Sequence, residues 1–336
     1  MQMNPEVSVI LPFFNAEKTL IAAVNSILDQ TFSPIELLLV DNNSEDKSLS
    51  IARKLSDTDD RIRLLGEKKQ GVARAMNCGL QNAGGKFIAR MDADDISHPQ
   101  RLEKQVDFLH RNPKIGLVGS EVNYVAHEKN TAGFNRFVNW VNAFHSPEAI
   151  ERSRFVEIPA VNPTLLFRRE LYEKLGGCQH GDFPEDYEML LRYLDAGVKM
   201  AKLPEPLLEW HDYSTRLTRT DKRYSTESFL KVKAKYFWKW SEKNNPFHPD
   251  IWVWGAGRKT RQRAKLLEKE GLNIEGYFDI VKGKTTEKIT LHFTEIPLPG
   301  KLFIVPMVAK RGVGAQIRNY LLKVNYREGE DFMMMG

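Results

Sequence analysis

The residues with the plainest chemical purpose are the carboxylates of Asp92-Ala93-Asp94-Asp95, which close an apolar stretch read as a strand over 86–95. Alternate residues of an extended segment point the same way, so Asp92 and Asp94 share a face. Two carboxylates at one strand end repel each other unless a cation lies between them. Hard oxygen ligands suit Mg²⁺ or Mn²⁺, which bind through one or two carboxylates together with substrate phosphates. The plain structural alternative is a solvated acidic turn in which Asp95 or Ser97 caps the next helix. Other polar residues stand at similar places. Asp41 ends the apolar run IELLLVD, where an Asp also suits capping of the turn DNNSED. Glu185-Asp186 opens EDYEMLLRYLDAG, and acids are favoured at a helix start by the dipole. His211 has no second ligand at close spacing, so a structural role is the alternative there.

Alternating strand and helix patterns must position these groups. Apolar, β-branched runs at 7–14, 35–41, 61–66 and 115–122 read as strands. Leu20, Val24, Ile27 and Leu28 repeat at helical spacing after Asn15, a candidate cap, and a helix over 71–83 stops at Gly84-Gly85. This order predicts an α/β fold with a parallel or mostly parallel sheet covered on both faces. Ligands of such sheets lie outside the carboxyl ends of the strands. That rule selects Pro12 to Asn15, Asp41 to Asn43, and Asp92 to Asp95.

The chain has 336 residues, 42% hydrophobic and 28% charged, with a net charge of +5. That length allows one large and one small domain. A mildly basic balance suits anionic partners without choosing among them. No zinc-finger or RNP-type pattern points to nucleic acid. No run of about 18 apolar residues and no signal-peptide pattern occurs, so a cytoplasmic protein is expected. Cys78 and Cys178 belong to no CxxC pair and read as free thiols.

Taken in order, VSVILPFFNAEKTLIAAVNSILDQTFSPIELLLVDNNSED, GVARAMNCGLQNAGGKFIARMDADD, PTLLFRRELYEKLGG and FPEDYEMLLRYLDAG resemble the family 2 glycosyltransferases of the GT-A fold, over residues 6–220. The resemblance implies a mixed sheet with flanking helices, a nucleotide-diphosphate sugar as donor (a UDP-sugar first), inversion at the anomeric carbon and a divalent metal. It implies that Pro12, Phe13 and Asn15 begin the nucleotide pocket, that Asp41 accepts from the base, and that Arg74 contacts base or phosphate. Asp92 would face ribose or metal, and Asp94 would bind the metal. Asp186, beside Glu185, would be the general base, and His211 would reach metal or diphosphate. Arg216 and Arg219 would close over the phosphates. An ordinary Asp is ionised at pH 7, so Asp186 is expected to act without tuning. No QxxRW-type motif follows the Glu185-Asp186 pair, so transfer of a single sugar to a glycan or lipid-linked acceptor in surface-glycan or polysaccharide biosynthesis is expected. The rival readings are a nucleotidyltransferase, whose glycine-rich basic loop LPFFNAEKT lacks, and a non-catalytic nucleotide-sugar-binding protein.

A polar, proline-bearing stretch at 241–250 reads as a linker. The expected boundaries are therefore 1–245 for the GT-A domain and 246–336 for a small Rossmann-like α/β domain. There Gly255-Ala256-Gly257 follows a strand, but Thr260 stands where a dinucleotide fingerprint has its third glycine, and Asp279 ends the next strand. A packing or partner-recruiting remnant is preferred over a working nucleotide site. KVKAKYFWKW, at 231–240, interleaves lysines and aromatics. It suits either a helix packed between domains or one lying at the inner face of a membrane.

Overall fold

Apolar β-branched runs form the centre of the main sheet, as their composition demands. In the computed structural model, which describes residues 5–127, 131–308, 310 and 312–336, β1 (Val7–Phe13) and β2 (Ile35–Asp41) are buried almost throughout. The chain continues through α1 (Leu20–Leu28), α2 (Ser48–Ser56), β3 (Ile62–Gly66), α3 (Val72–Asn82), β4 (Phe87–Arg90), β5 (Ile96–Ser97) and α4 (Arg101–Arg111). Then come β6 (Ile115–Ala126), α5 (Ala132–Val141), α6 (Pro147–Ser153), β7 (Leu166–Arg168), α7 (Arg169–Leu175), α8 (Glu185–Asp195), β8 (Lys199–Asp212) and α9 (Leu217–Thr220).

These strands make one eight-stranded sheet in the order β3-β2-β1-β4-β7-β6-β8-β5. The β3-β2-β1-β4 half is parallel. β7 turns the sheet antiparallel to both β4 and β6, and β8 then runs parallel to β6. The fold is thus the mixed α/β sheet of GT-A proteins. β1 is flanked by β2 on one side and β4 on the other, the arrangement that opens a crevice at carboxyl strand ends. Val9, Leu11 and Phe13 of β1 pack with Leu20, Val24 and Ile27 of α1 in the core. Two local expectations change. β4 stops at Arg90, and the residues after it form a turn instead of continuing the strand. Asn15 does not cap α1, whose N-cap is Thr19.

Contacts divide the chain into two compact units, one reaching Ile150 and resuming over Pro159–Tyr224, the other made of Glu151–Ile158 and Ser225–Gly336. The expected boundary at 245 thus moves to 224, because α10 (Thr226–Asn244) packs within the second unit. Phe155 meets Phe237 and Trp240 edge to face at 5.3 and 6.1 Å, and Trp240 lies 5.9 Å from Phe303. Tyr236, Phe237 and Trp240 are buried. Three of the four aromatics of KVKAKYFWKW are therefore covered by protein, Trp238 is half-buried, and Lys231 and Lys235 are exposed.

The rest of the second unit comprises β9 (Asp250–Trp254), α11 (Arg258–Lys269), β10 (Asn273–Asp279), β11 (Ile289–His292), β12 (Ile304–Pro306) and α12 (Val313–Lys323). Its four strands are all parallel, in the order β11-β10-β9-β12. Gly255 has φ +113°, and a Cβ there would lie 2.8 Å from Val308 Cγ2, so the turn needs glycine. Asp279 Oδ2 accepts from the Ala256 N–H at 2.8 Å and from Lys284 Nζ at 2.8 Å. That carboxylate closes the glycine turn from within. None of the helices is long and apolar enough to cross a membrane, among the described residues. Both cysteines are free thiols, and burial pushes the Cys178 thiol up to about 12.

Candidate active site

Register alignment brings the polar strand ends to one edge of the sheet. Phe13 stands opposite Asp41, and Ile10 opposite Arg90, so the residues after β1, β2 and β4 emerge together. The acidic segment is gathered by a turn, in which the Asp95 N–H reaches the Asp92 carbonyl at 3.4 Å. Carboxylate oxygens of Asp92, Asp94 and Asp95 all lie within 4.8 Å of one another. A third acid thus joins the two that strand alternation would have paired. Asp95 is fully buried; its Oδ1 accepts from the His211 N–H at 2.9 Å, while Oδ2 has no partner among the described residues. Burial raises the Asp94 carboxyl to about 6, with Arg216 pulling it down and Asp92 pushing it up. Burial and then the charge of Asp94 hold Asp95 well above the usual carboxylate range. An orphaned buried oxygen and three crowded acids are what a site for a hard divalent cation presents before charge is compensated.

Arg90, the last residue of β4, joins this turn to the second acidic pair. It is 7% exposed, and its Nε donates to Asp92 Oδ1 at 3.1 Å. With the Asn162 amide oriented to satisfy its neighbours, the Asn162 oxygen accepts from Arg90 Nη1 at 2.5 Å and Nε at 3.2 Å. Burial works against the cation, but Asp92, Glu185 and Asp186 together hold its pKa above the normal arginine value. Arg101, fully buried at the start of α4, fastens the same region. Its Nη1 donates to the carbonyls of Pro163 at 2.6 Å and Arg90 at 3.2 Å, and its Nε to Ser97 Oγ at 2.8 Å.

Glu185 and Asp186 open α8. Glu185 is 2% exposed and accepts from the Tyr224 hydroxyl at 2.7 Å. Asp186 is half-buried, so it is the member of the pair that solvent reaches. Its Oδ1 accepts from the Tyr187 N–H at 2.8 Å. Burial, followed by the charge of Glu185, raises its carboxyl to about 7, with Arg90 opposing. The expectation of an untuned aspartate is therefore corrected: burial and Glu185 balance the carboxyl near neutrality.

The remaining sequence-derived residues fall into three groups. Pro12 is half-buried at the strand end, but Phe13 is 3% exposed and belongs to the core, since strand alternation places it with Val9 and Leu11. It does not line an open pocket. Asn15, with φ +49°, and Asp41 order the loops of this edge. The Asn15 Oδ1 accepts from the Glu45 N–H at 2.9 Å, and Asp41 Oδ1 from the Ser44 N–H at 3.2 Å. Arg74 is half-buried, and its guanidinium has no hydrogen-bond or ion-pair partner among the described residues.

The late polar loop is more divided. The ring of His211 stands outside the group formed by Asp92, Asp94 and Asp95. Its Nδ1 lies 3.0 Å from His127 Nε2, and its Nε2 is 3.4 Å from Glu209. The backbone N–H, and not the ring, ties it to Asp95. Arg216 stacks 4.3 Å over Trp210, donates to the His211 carbonyl, and lends positive charge to Asp94 and Asp95. Arg219 is held by Asp212 at 3.0 and 2.5 Å and lies 4.6 Å over Phe134. Its charge is spent on that buried carboxylate. Sequence reasoning missed Arg90, Asn162 and Tyr224, and gave Asn42, inside the strand-end cluster Asp41 to Asn43, no role of its own. Asn42 is the clip that presents Arg74: it donates to the carbonyls of Glu67 and Lys69 at 3.1 and 3.0 Å and accepts from the Gly71 N–H at 2.8 Å. An arginine in the strand leading into the acidic turn was the one readable signal, because a cation between such neighbours rarely lacks a partner.

A carboxylate cluster at the carboxyl edge of a GT-A sheet, with a second acidic pair at a helix start, defines a sugar-transferring class of enzyme. The model of glycosyl transferase family 2 matches residues 8–176, and the chain belongs to that family. It is a glycosyltransferase. It is 31% identical over 237 residues to a putative glycosyltransferase, EpsE, of Bacillus subtilis, covering 69% of this chain and 82% of the relative. It is 28% identical over 252 residues to the O-antigen biosynthesis glycosyltransferase WbnJ of Escherichia coli, covering 68% of this chain and 90% of the relative. Among solved structures, S. aureus TarS in complex with UDP-GlcNAc superposes with a TM-score of 0.57 at 16% identity, covering 79% of this chain and 71% of that one. The mannosyltransferase PcManGT from Pyrobaculum calidifontis, in complex with GDP-Man and Mn²⁺, has a TM-score of 0.52 at 20% identity, covering 71% and 64%.

Proposed function

We propose that this glycosyltransferase moves a single sugar from a nucleotide-diphosphate donor to an acceptor hydroxyl with inversion, with Asp186 as general base. The observation that carries the reading is the pairing of two unlike acidic groups by one buried cation. The Asp92-Asp94-Asp95 turn has an orphaned oxygen, Asp186 sits near neutral pKa, and Arg90 stands between them. A Mg²⁺ or Mn²⁺ ion would be held by Asp92, Asp94 and Asp95, and when bound it supplies positive charge for the departing diphosphate. Arg74 and Arg216 offer further cations, Arg74 because its guanidinium has no partner among the described residues and Arg216 because it already faces the acidic turn. Arg219, engaged with Asp212, orders the loop that carries Arg216.

Asp186 would take the acceptor hydroxyl proton as the oxygen attacks the anomeric carbon. Glu185 stays behind it, fixed by Tyr224. A UDP-sugar is the donor the reading favours, in keeping with the UDP-GlcNAc named for TarS. The naming of WbnJ for O-antigen and of AmsE of Erwinia amylovora for amylovoran biosynthesis supports a glycan or lipid-linked acceptor in surface-polysaccharide assembly. Tyr236, Phe237 and Trp240 of α10 are buried and so unavailable to a membrane, which supports the packed-helix reading over the membrane one.

The test is a screen of nucleotide-sugars by transfer and by thermal shift, with and without Mn²⁺. Asp94→Asn is expected to lose Mn²⁺-dependent stabilisation by the nucleotide together with transfer. Asp186→Asn is expected to keep nucleotide binding and lose transfer by at least about 100-fold, the scale of a removed general base. Normal transfer by Asp186→Asn removes the base assignment.

A further inference from the structure

The second unit carries a cavity of about 200 Å³ that has no part in the chemistry above. Arg258, Arg261, Lys265 and Glu268 line it from α11, Tyr277 from β10, and Glu287 and Lys288 from just before β11. The three α11 cations lie at i, i+3 and i+7, so they stack along one helix face. Like charges at this spacing repel, and a chain that keeps them together without counter-charge loses helix stability. None of the three has a carboxylate partner among the described residues. The acids nearby do not serve them: Glu268 is taken by Lys288 at 3.1 Å, and Lys288 also donates to the Ile274 carbonyl at 2.5 Å. Arg261 adds a sharper signal, because its Nε is buried with no acceptor among the described residues. A buried donor left unpaired is destabilising, so an acceptor from outside the chain is favoured at this position.

We propose that this cavity binds a phosphate group. With the Lys288–Glu268 pair set aside, three cations face the single carboxylate of Glu287. A phosphate monoester carries between one and two negative charges at pH 7 and has three strong acceptor oxygens, which suits that surplus. A single carboxylate would leave the cavity cationic. Arg261 supplies donors in a fixed planar fork, the geometry suited to two oxygens of one phosphate. The first turn of α11 adds the positive end of its dipole at Arg258. The inference rests on the second unit alone, so it stands or falls independently of the sugar-transfer reading.

The test uses the full chain at low salt with EDTA present, so that no cation occupies the acidic turn. Inorganic phosphate is titrated by calorimetry and by ³¹P line broadening. Saturable one-site binding is expected, weakened about tenfold or more in Arg261→Gln, the scale of one lost hydrogen bond to a charged group. Arg258→Gln/Lys265→Gln is expected to weaken it as well, and Arg74→Gln to leave it unchanged. Thermal melting of each variant checks that the fold is intact. Absence of saturable binding, equal affinity in Arg261→Gln, or loss only in Arg74→Gln overturns the proposal. Co-sedimentation with phosphatidylcholine vesicles, with and without phosphatidic acid, separates the sources. Arg261-dependent pelleting assigns the phosphate to a lipid headgroup; soluble binding without pelleting assigns it to a free phosphoryl group.

Discussion

If Asp186 is the base, the pH dependence of transfer should report its burial. Its carboxyl is raised to about 7, first by burial and then by Glu185. Only the ionised form can accept the acceptor proton. Below pH 7 the ionised fraction falls tenfold per unit, so kcat/KM at pH 5.5 is expected at roughly one-thirtieth of its value at pH 8. An aspartate at its ordinary value would give a flat profile over the same range. The assay is initial-rate transfer at saturating Mn²⁺, with a solvent-viscosity control to show that chemistry limits the rate. A flat profile between pH 5.5 and 8 in a chemistry-limited enzyme would refute the reasoning. The same shift has a thermodynamic side. The folded state holds this proton more tightly than the unfolded chain, so stability is lost as pH rises from 3.8 through 7, and the loss is complete above 7. Asp186→Asn removes that penalty. It is expected to stabilise the protein at pH 8 by about 2 kcal/mol, after solvent screening of a half-exposed carboxyl, and to do nothing at pH 3.5. Thermal melts at the two pH values measure it.

Three further outcomes follow from two buried cations, Arg90 and Lys202. Arg90→Met leaves Asp92 and Asp186 without their shared positive charge, and is expected to cost about 3–5 kcal/mol by denaturant titration. Arg90→Lys keeps the charge but loses the planar donors, so it should fold, and the acid limb of its transfer profile should move to higher pH. Lys202, which donates to the Val141 carbonyl and lies 4.3 Å over Phe144, is lowered by burial to about 7. Its depressed pKa means that the folded state binds fewer protons than the unfolded chain between pH 7 and about 10.5. Stability should therefore rise with pH across that window, and Lys202→Met should abolish the rise and gain on the order of 2 kcal/mol at pH 7.

The sequence by itself determined the elements and their order, because strands buried on both faces must be written in β-branched and aliphatic residues. Val7–Phe13, Ile35–Asp41 and the helix over Val72–Asn82 stand within one or two residues of where periodicity placed them. It also marked the acidic positions, since turns and helix starts are local. What periodicity could not express was how separate segments charge one another. The strand that was to carry Asp92 and Asp94 ends at Arg90, and a turn collects Asp95 as a third acid. Phe13 entered the core because its neighbours in space, Val9 and Leu11, claimed its face. The α10 aromatics joined the second unit because Phe155, far away in sequence, packs on them. Asp186 became tunable only when the fold buried it beside its neighbour Glu185 and brought Arg90, from β4, up to the pair. Hydrogen-bond pattern and hydropathy are local properties of a chain; pKa, partner and burial are set by residues that only the tertiary structure brings together.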